Sequence, residues 1–137
     1  MASKKIAITG FSLLELVVVV AVISTLLTIA IPSYLQYVQR GHRADAIRII
    51  LTASDCQSRI KASTGFFDTS RCLEDPRSAR YEFRIQPANN PNANSYTITA
   101  LPLDSVDDPC GALSLDQAGT RGISVLSGSV SRCWGGR

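Results

Sequence analysis

The 137-residue chain carries 14 Lys and Arg against 11 Asp and Glu, a formal charge of +3. So slight an excess calls for no polyanionic partner, and the length leaves room for one compact domain beyond a long apolar run near the start. No internal repeat or low-complexity tract is present.

The apolar run covers residues 11–31, and Glu15 is its sole ionisable side chain. About 20 apolar residues suffice for a helix to cross the hydrocarbon core of a bilayer. A charge at that depth costs roughly 2.5 to 3.5 kcal/mol on insertion scales, so Glu15 calls for a functional reason; the bland alternative is an interfacial charge near the end of an ordinary anchor. Residues 1–10 precede the run, with Lys4 and Lys5 as their basic element and Gly10 at the junction. A secretory signal runs basic, apolar, cleavage site, whereas here the small junction residue comes before the apolar run. Cutting there leaves the helix on the mature chain. The basic leader holds the N-terminus in the cytoplasm and directs the rest outward.

Gly10-Phe11-Ser12-Leu13-Leu14-Glu15-Leu16, with Pro32 further along the helix, resembles the type IV prepilin family. The resemblance implies cleavage between Gly10 and Phe11 by a membrane prepilin peptidase and N-methylation of Phe11. It also implies assembly of the mature chain with like and unlike pilins by an ATPase and a platform protein. It gives Glu15 the task of pairing with the N-terminal amine of a neighbouring subunit. Such a pair suits a register device: two charges in an apolar filament core are heavily penalised when either lacks its partner. Loss of Lys4 and Lys5 with the leader leaves 12 basic against 11 acidic side chains.

Beyond the run, Ile31, Leu35, Val38, His42, Ala46, Ile49, Ala53, Cys56 and Ile60 recur at steps of three or four, which predicts an amphipathic continuation of the same helix. A helix over 11–62 would be about 75 to 80 Å long at 1.5 Å per residue, too long for a membrane alone, so its outer half needs a sheet to cover. Pro32 removes a donor and Gly41 adds backbone freedom, predicting a kink or local melting near either. In pilins the segment before the proline unwinds within filaments; here that is 24–31, where Ser24, Thr25 and Thr28 offer hydrogen bonds to freed backbone groups.

Gly65 reads as the helix stop, and 66–79 as a polar linker. Alternation over 81–85 and 95–101, around an Asn- and Pro-rich turn, predicts one hairpin; 112–115 and 122–126 predict a second, and 130–134 a short tail strand. The expected fold is α+β, a long N-terminal helix whose outer half packs on a four-stranded antiparallel sheet. Three domains are expected: leader 1–10, membrane or filament-core helix 11–31, and helix continuation with globular head 32–137. The phrases Asp108-Pro109-Cys110-Gly111, residues 113–122 and Cys133-Trp134 resemble the C-terminal part of PilE-like minor pilins.

Cys56, Cys72, Cys110 and Cys133 all follow the apolar run, on the side expected to be oxidising, and favour two disulfides among three possible connectivities. In the resembled family the two C-terminal cysteines bond and enclose the D-region loop, which favours Cys110 with Cys133 and so Cys56 with Cys72. The spacing does not suit zinc, and no metal or other cofactor is expected. Adjacent acids at Glu74-Asp75 and Asp107-Asp108 suggest calcium only through the type II secretion pseudopilins, the alternative family. His42 is the single histidine, and no nucleophile elbow, phosphate loop or dinucleotide fingerprint appears, so no enzyme is expected. Lys61 and the arginines at 71, 77, 80 and 84 sketch a basic stripe for nucleic acid, but Glu74, Asp75 and Glu82 interleave with it; a DNA-uptake receptor is thus a weakly supported alternative. Phe66, Phe67 and Trp134 are expected to be core anchors. The resulting expectation is a single-pass precursor in the inner membrane with its head outside the cytoplasm, moved into an extracellular pilus for adhesion, motility or DNA uptake.

Overall fold

The computed structural model describes residues 12–73, 80–87, 94–103 and 109–136. The chain forms two compact units, Met1–Val38 and Gln39–Arg137. Helix α1, Leu13–Thr64, contributes to both. In the N-terminal unit every described residue from 12 to 37 is exposed, and none of its valines, leucines and isoleucines in that stretch is buried among the described residues. The backbone N–H of Leu16 donates to the Ser12 carbonyl, and Glu15 falls in the first turn, where a carboxylate complements the positive end of the helix dipole.

The C-terminal unit is built on a meander. Strands β1 (Tyr81–Pro87), β2 (Tyr96–Pro102), β3 (Leu113–Asp116) and β4 (Arg121–Ile123) pair antiparallel in chain order. In β2 the alternation puts Tyr96, Ile98 and Ala100 into the core, and β3 adds Leu113 and Leu115 beside them. Ala46, Ile50 and Ala53 of α1 close this core from the helix side, together with Tyr81, Cys110, Cys133 and Trp134. The architecture is the α+β layout expected, with a helix packed on a four-stranded antiparallel sheet.

Four details differ from the expectations. First, helix α1 runs unbroken through Pro32 and Gly41, so neither melts it locally. The carbonyl whose partner Pro32 removes is that of Thr28. The hydroxyls of Ser24, Thr25 and Thr28 instead donate to the carbonyls of Val20, Val22 and Thr25, each at 2.7 Å.

Second, the buried line of the helix is Arg43, Ala46, Ile50, Ala53 and Gln57. It lies one residue beyond the apolar stripe at three of its five steps, leaving His42, Ile49 and Cys56 half-buried and Ile31 and Leu35 exposed. Third, residues 130–134 form no strand. Val130–Cys133 is a short helix, α2, because the Ser129 side chain caps it by accepting from the Arg132 N–H. Fourth, Phe66 is exposed, whereas Phe67 packs against the core and Trp134 belongs to it.

Candidate filament-forming surface and head loops

Two kinds of surface stand out, one on each unit. On the N-terminal unit, a predominantly apolar exterior carries Glu15 as its single charge among the described residues from 12 to 37. The back-bonded hydroxyls at 24, 25 and 28 satisfy themselves within the helix and add no unmet donor to that exterior. Such a surface suits lipid or neighbouring apolar helices. Gly10 and Phe11 lie outside the described residues.

On the C-terminal unit the loop after α1 is tied down by side chains. Gly65 ends the helix at φ +84°, in the left-handed region that glycine adopts without a Cβ penalty, and its N–H still reaches the Lys61 carbonyl. Gln57, fully buried, donates to the carbonyls of Asp68 at 2.6 Å and Arg71 at 3.3 Å, and its Oε1 accepts from the Asp68 N–H at 3.0 Å. Its amide thus does for the loop what a pairing strand would do. Asn94 serves the other side: its Nδ2 donates to the Gly65 carbonyl at 2.9 Å and its Oδ1 accepts from the Phe67 N–H at 2.8 Å. The Phe67 ring stands edge-on to Tyr96, with the Lys61 ammonium 4.2 Å from its centroid. Cys56 bonds Cys72, Cα to Cα 5.8 Å, and Cys72 holds a positive φ of 78°.

A second loop is enclosed by Cys110 and Cys133, Cα to Cα 5.7 Å. Within it the Ser124 Oγ accepts from the Ala112 N–H at 2.9 Å, and from just beyond it Trp134 Nε1 donates to the Gly122 carbonyl at 3.1 Å beneath the Arg121 guanidinium. Gly111 is required here, since its φ is +60° and a Cβ would meet the Ser124 hydroxyl. The Asp116 carboxylate organises the turn between β3 and β4 by accepting from the N–H groups of Thr120 and Ala118, at 2.8 and 2.9 Å. The Thr120 bond foremost holds its pKa below the usual carboxylate value. Leu126 projects fully into solvent.

The basic stripe is not a row of free cations. Arg71 pairs with Asp68 at 3.2 Å and Arg84 with Glu82 at 2.8 Å, Lys61 sits over Phe67, and Arg80 is engaged in an interaction of its own. Arg77, Glu74 and Asp75 lie outside the described residues, as do Asp107 and Asp108. Asp68 is held below the usual carboxylate value chiefly by the Ser70 hydroxyl, then by the Ser70 N–H. His42 is half-buried on α1, and no cluster of metal-ligating side chains occurs among the described residues. Sequence reasoning missed Gln57 and Asn94. Gln57 falls between apolar positions, but its i+4 spacing from Ala53 was available as a signal.

Comparison with known proteins gives three likenesses. The chain is 28% identical over 104 residues to the type IV major pilin protein PilA of Myxococcus xanthus (strain DK1622), a match covering 74% of this chain and 47% of that protein. It thus spans about half the length of this curated relative. A solved type IV pilin from Shewanella oneidensis superposes with a TM-score of 0.53 at 29% identity, over 66% of this chain and 97% of that one. The helix on a four-stranded antiparallel meander is accordingly the type IV pilin fold. A family model described as "Type IV minor pilin ComP, DNA uptake sequence receptor" matches residues 32–114, more than half of the sequence, and the chain belongs to that family of minor pilins.

Proposed function

We propose that the chain works as a structural pilin subunit: a single-pass precursor in the inner membrane, cut between Gly10 and Phe11, N-methylated at Phe11, and moved into an extracellular filament. The observation that carries this reading is the N-terminal unit itself, in which α1 exposes its whole apolar exterior with Glu15 as the lone charge. Lipid covers that exterior before assembly and neighbouring helices cover it afterwards. Because both surroundings are apolar, the exchange is nearly balanced and an assembly machine can drive it. Glu15 then acts as the register device, paired with the N-terminal amine of another subunit. Neither catalysis nor a cofactor enters this role.

The test is mass spectrometry of sheared filaments from the native cell. An N-methylated peptide beginning at Phe11 is expected. Recovery of the chain solely in membranes, with residues 1–10 attached, would defeat the reading and leave an ordinary anchored domain.

A second reading, that the subunit receives DNA for uptake, is favoured by the family match over residues 32–114. The paired arginines mean that such recognition would not rest on a bare electrostatic stripe. Titration of the full chain in detergent with duplex DNA at several salt concentrations decides it. Saturable, salt-sensitive binding supports the receptor, and incorporation into filaments without DNA affinity leaves the structural role alone.

A further inference from the structure

The apolar exterior of the N-terminal unit ends in a particular way. Tyr34 and Tyr37, three residues apart and hence on one face of α1, are both largely exposed. Large exposed phenols are out of place in a soluble helix, but rings with an apolar body and a polar tip favour the boundary between hydrocarbon and headgroups.

The spacing carries the argument further. Nineteen residues separate Glu15 from Tyr34. At 1.5 Å per residue that is about 28 Å, close to the roughly 30 Å of a bilayer's hydrocarbon core.

We propose that Tyr34 and Tyr37 form an interfacial anchor that binds the phospholipid headgroup layer on the outer side of the membrane before assembly, and so holds Glu15 at the opposite boundary rather than in the hydrocarbon. The inference rests on the membrane-precursor reading and adds a partner to it, the lipid headgroup. With the anchor seated, the Glu15 carboxylate stays within reach of water and headgroup cations in the precursor. It meets an apolar surrounding only on entering the filament, the moment at which its pairing can select register.

The test uses the full chain reconstituted into vesicles of phosphatidylethanolamine and phosphatidylglycerol, some containing lipids brominated near the headgroup and others near the chain ends. Tyr34→Trp, Tyr37→Trp and the mid-span Leu26→Trp variants are compared with the wild-type chain, whose Trp134 supplies the background. The expected result for positions 34 and 37 is quenching by shallow bromine about two-fold or more above that by deep bromine, with the reverse order at position 26.

Equal or stronger deep quenching at 34 and 37 overturns the anchor. No quenching at 34 and 37, with position 26 quenched, also overturns it, placing the tyrosines beyond the bilayer or beneath a second copy of the chain, and leaves the membrane reading intact. No quenching at position 26 removes the membrane reading and the anchor with it.

Discussion

The two units solve opposite problems with one helix. In the C-terminal unit, α1 buries Ala46, Ile50 and Ala53 against Tyr96, Ile98 and Leu113, and every stability argument is internal. In the N-terminal unit the same helix buries none of residues 12–37, and its packing must come from what surrounds it. A helix sustained by propensity alone gains little per residue, so most of the stability of an apolar helix comes from what it packs against. Substitutions in the first unit should therefore alter assembly, and those in the second should alter stability.

Glu15→Ala gives the sharpest separation. Its incorporation into filaments should fall at least about ten-fold, the scale set by a buried charge left without its partner, while the melting temperature of the C-terminal unit stays unchanged. Quantitative mass spectrometry of filament and membrane fractions, with calorimetry alongside, reads both; a lowered melting temperature would break the division. The converse comes from Cys110→Ser with Cys133→Ser. Opening a loop with a sequence separation of 23 should cost about 3 kcal/mol, seen as a lower denaturation midpoint with the full chain still targeted to membranes.

Gln57→Leu keeps the volume and removes the three bonds to the loop, leaving the Asp68 N–H without its partner while the Asp68 carbonyl keeps the Arg71 N–H. Its expected cost is about 2 kcal/mol, measured by denaturant titration and by faster amide exchange at Asp68. Gly41→Ala should move the other way. A Cβ there meets nothing within 4 Å, so the unit should gain up to about 1 kcal/mol in the same titration.

The smallest effect concerns pH. Asp68 and Asp116 both have folded-state pKa values below their ordinary ones, so their stabilisation is present above the unfolded value and is lost as pH falls through the folded one. The melting temperature should be flat near neutrality and decline in the acid range below the ordinary carboxylate value. Asp116→Asn should shallow that decline, and an unchanged acid limb would remove Asp116 from the account.

Much of this was legible in the chain. Tyr96, Ile98 and Ala100 alternate with threonines because β2 has one face in the core, and that period survives any uncertainty about its ends. The helix was legible for its length but not its exact face, since the buried line takes in Arg43 and a Gln57 held by polar partners, which no hydrophobicity count can see. Residues 130–134 were expected as a tail strand, yet the Ser129 cap starts a turn of helix there. Adjacent Phe66 and Phe67 have the same side chain and opposite fates. Asn94 holds the backbone on both sides of Phe66, and Tyr96 offers an edge to Phe67 alone.

The ties on the loop after α1 bear on how the subunit carries force. Gln57 grips it at Asp68 and Arg71, the disulfide at Cys72, and Asn94 at Gly65 and Phe67. The ties run along the loop from Gly65 to Cys72, so freeing it means breaking several hydrogen bonds and a covalent bond. Traction at the loop's far end would load them in sequence, as a seam is unpicked, and the covalent grip at Cys72 stands at that end. Peeling from that end thus meets the covalent bond before any of the hydrogen bonds.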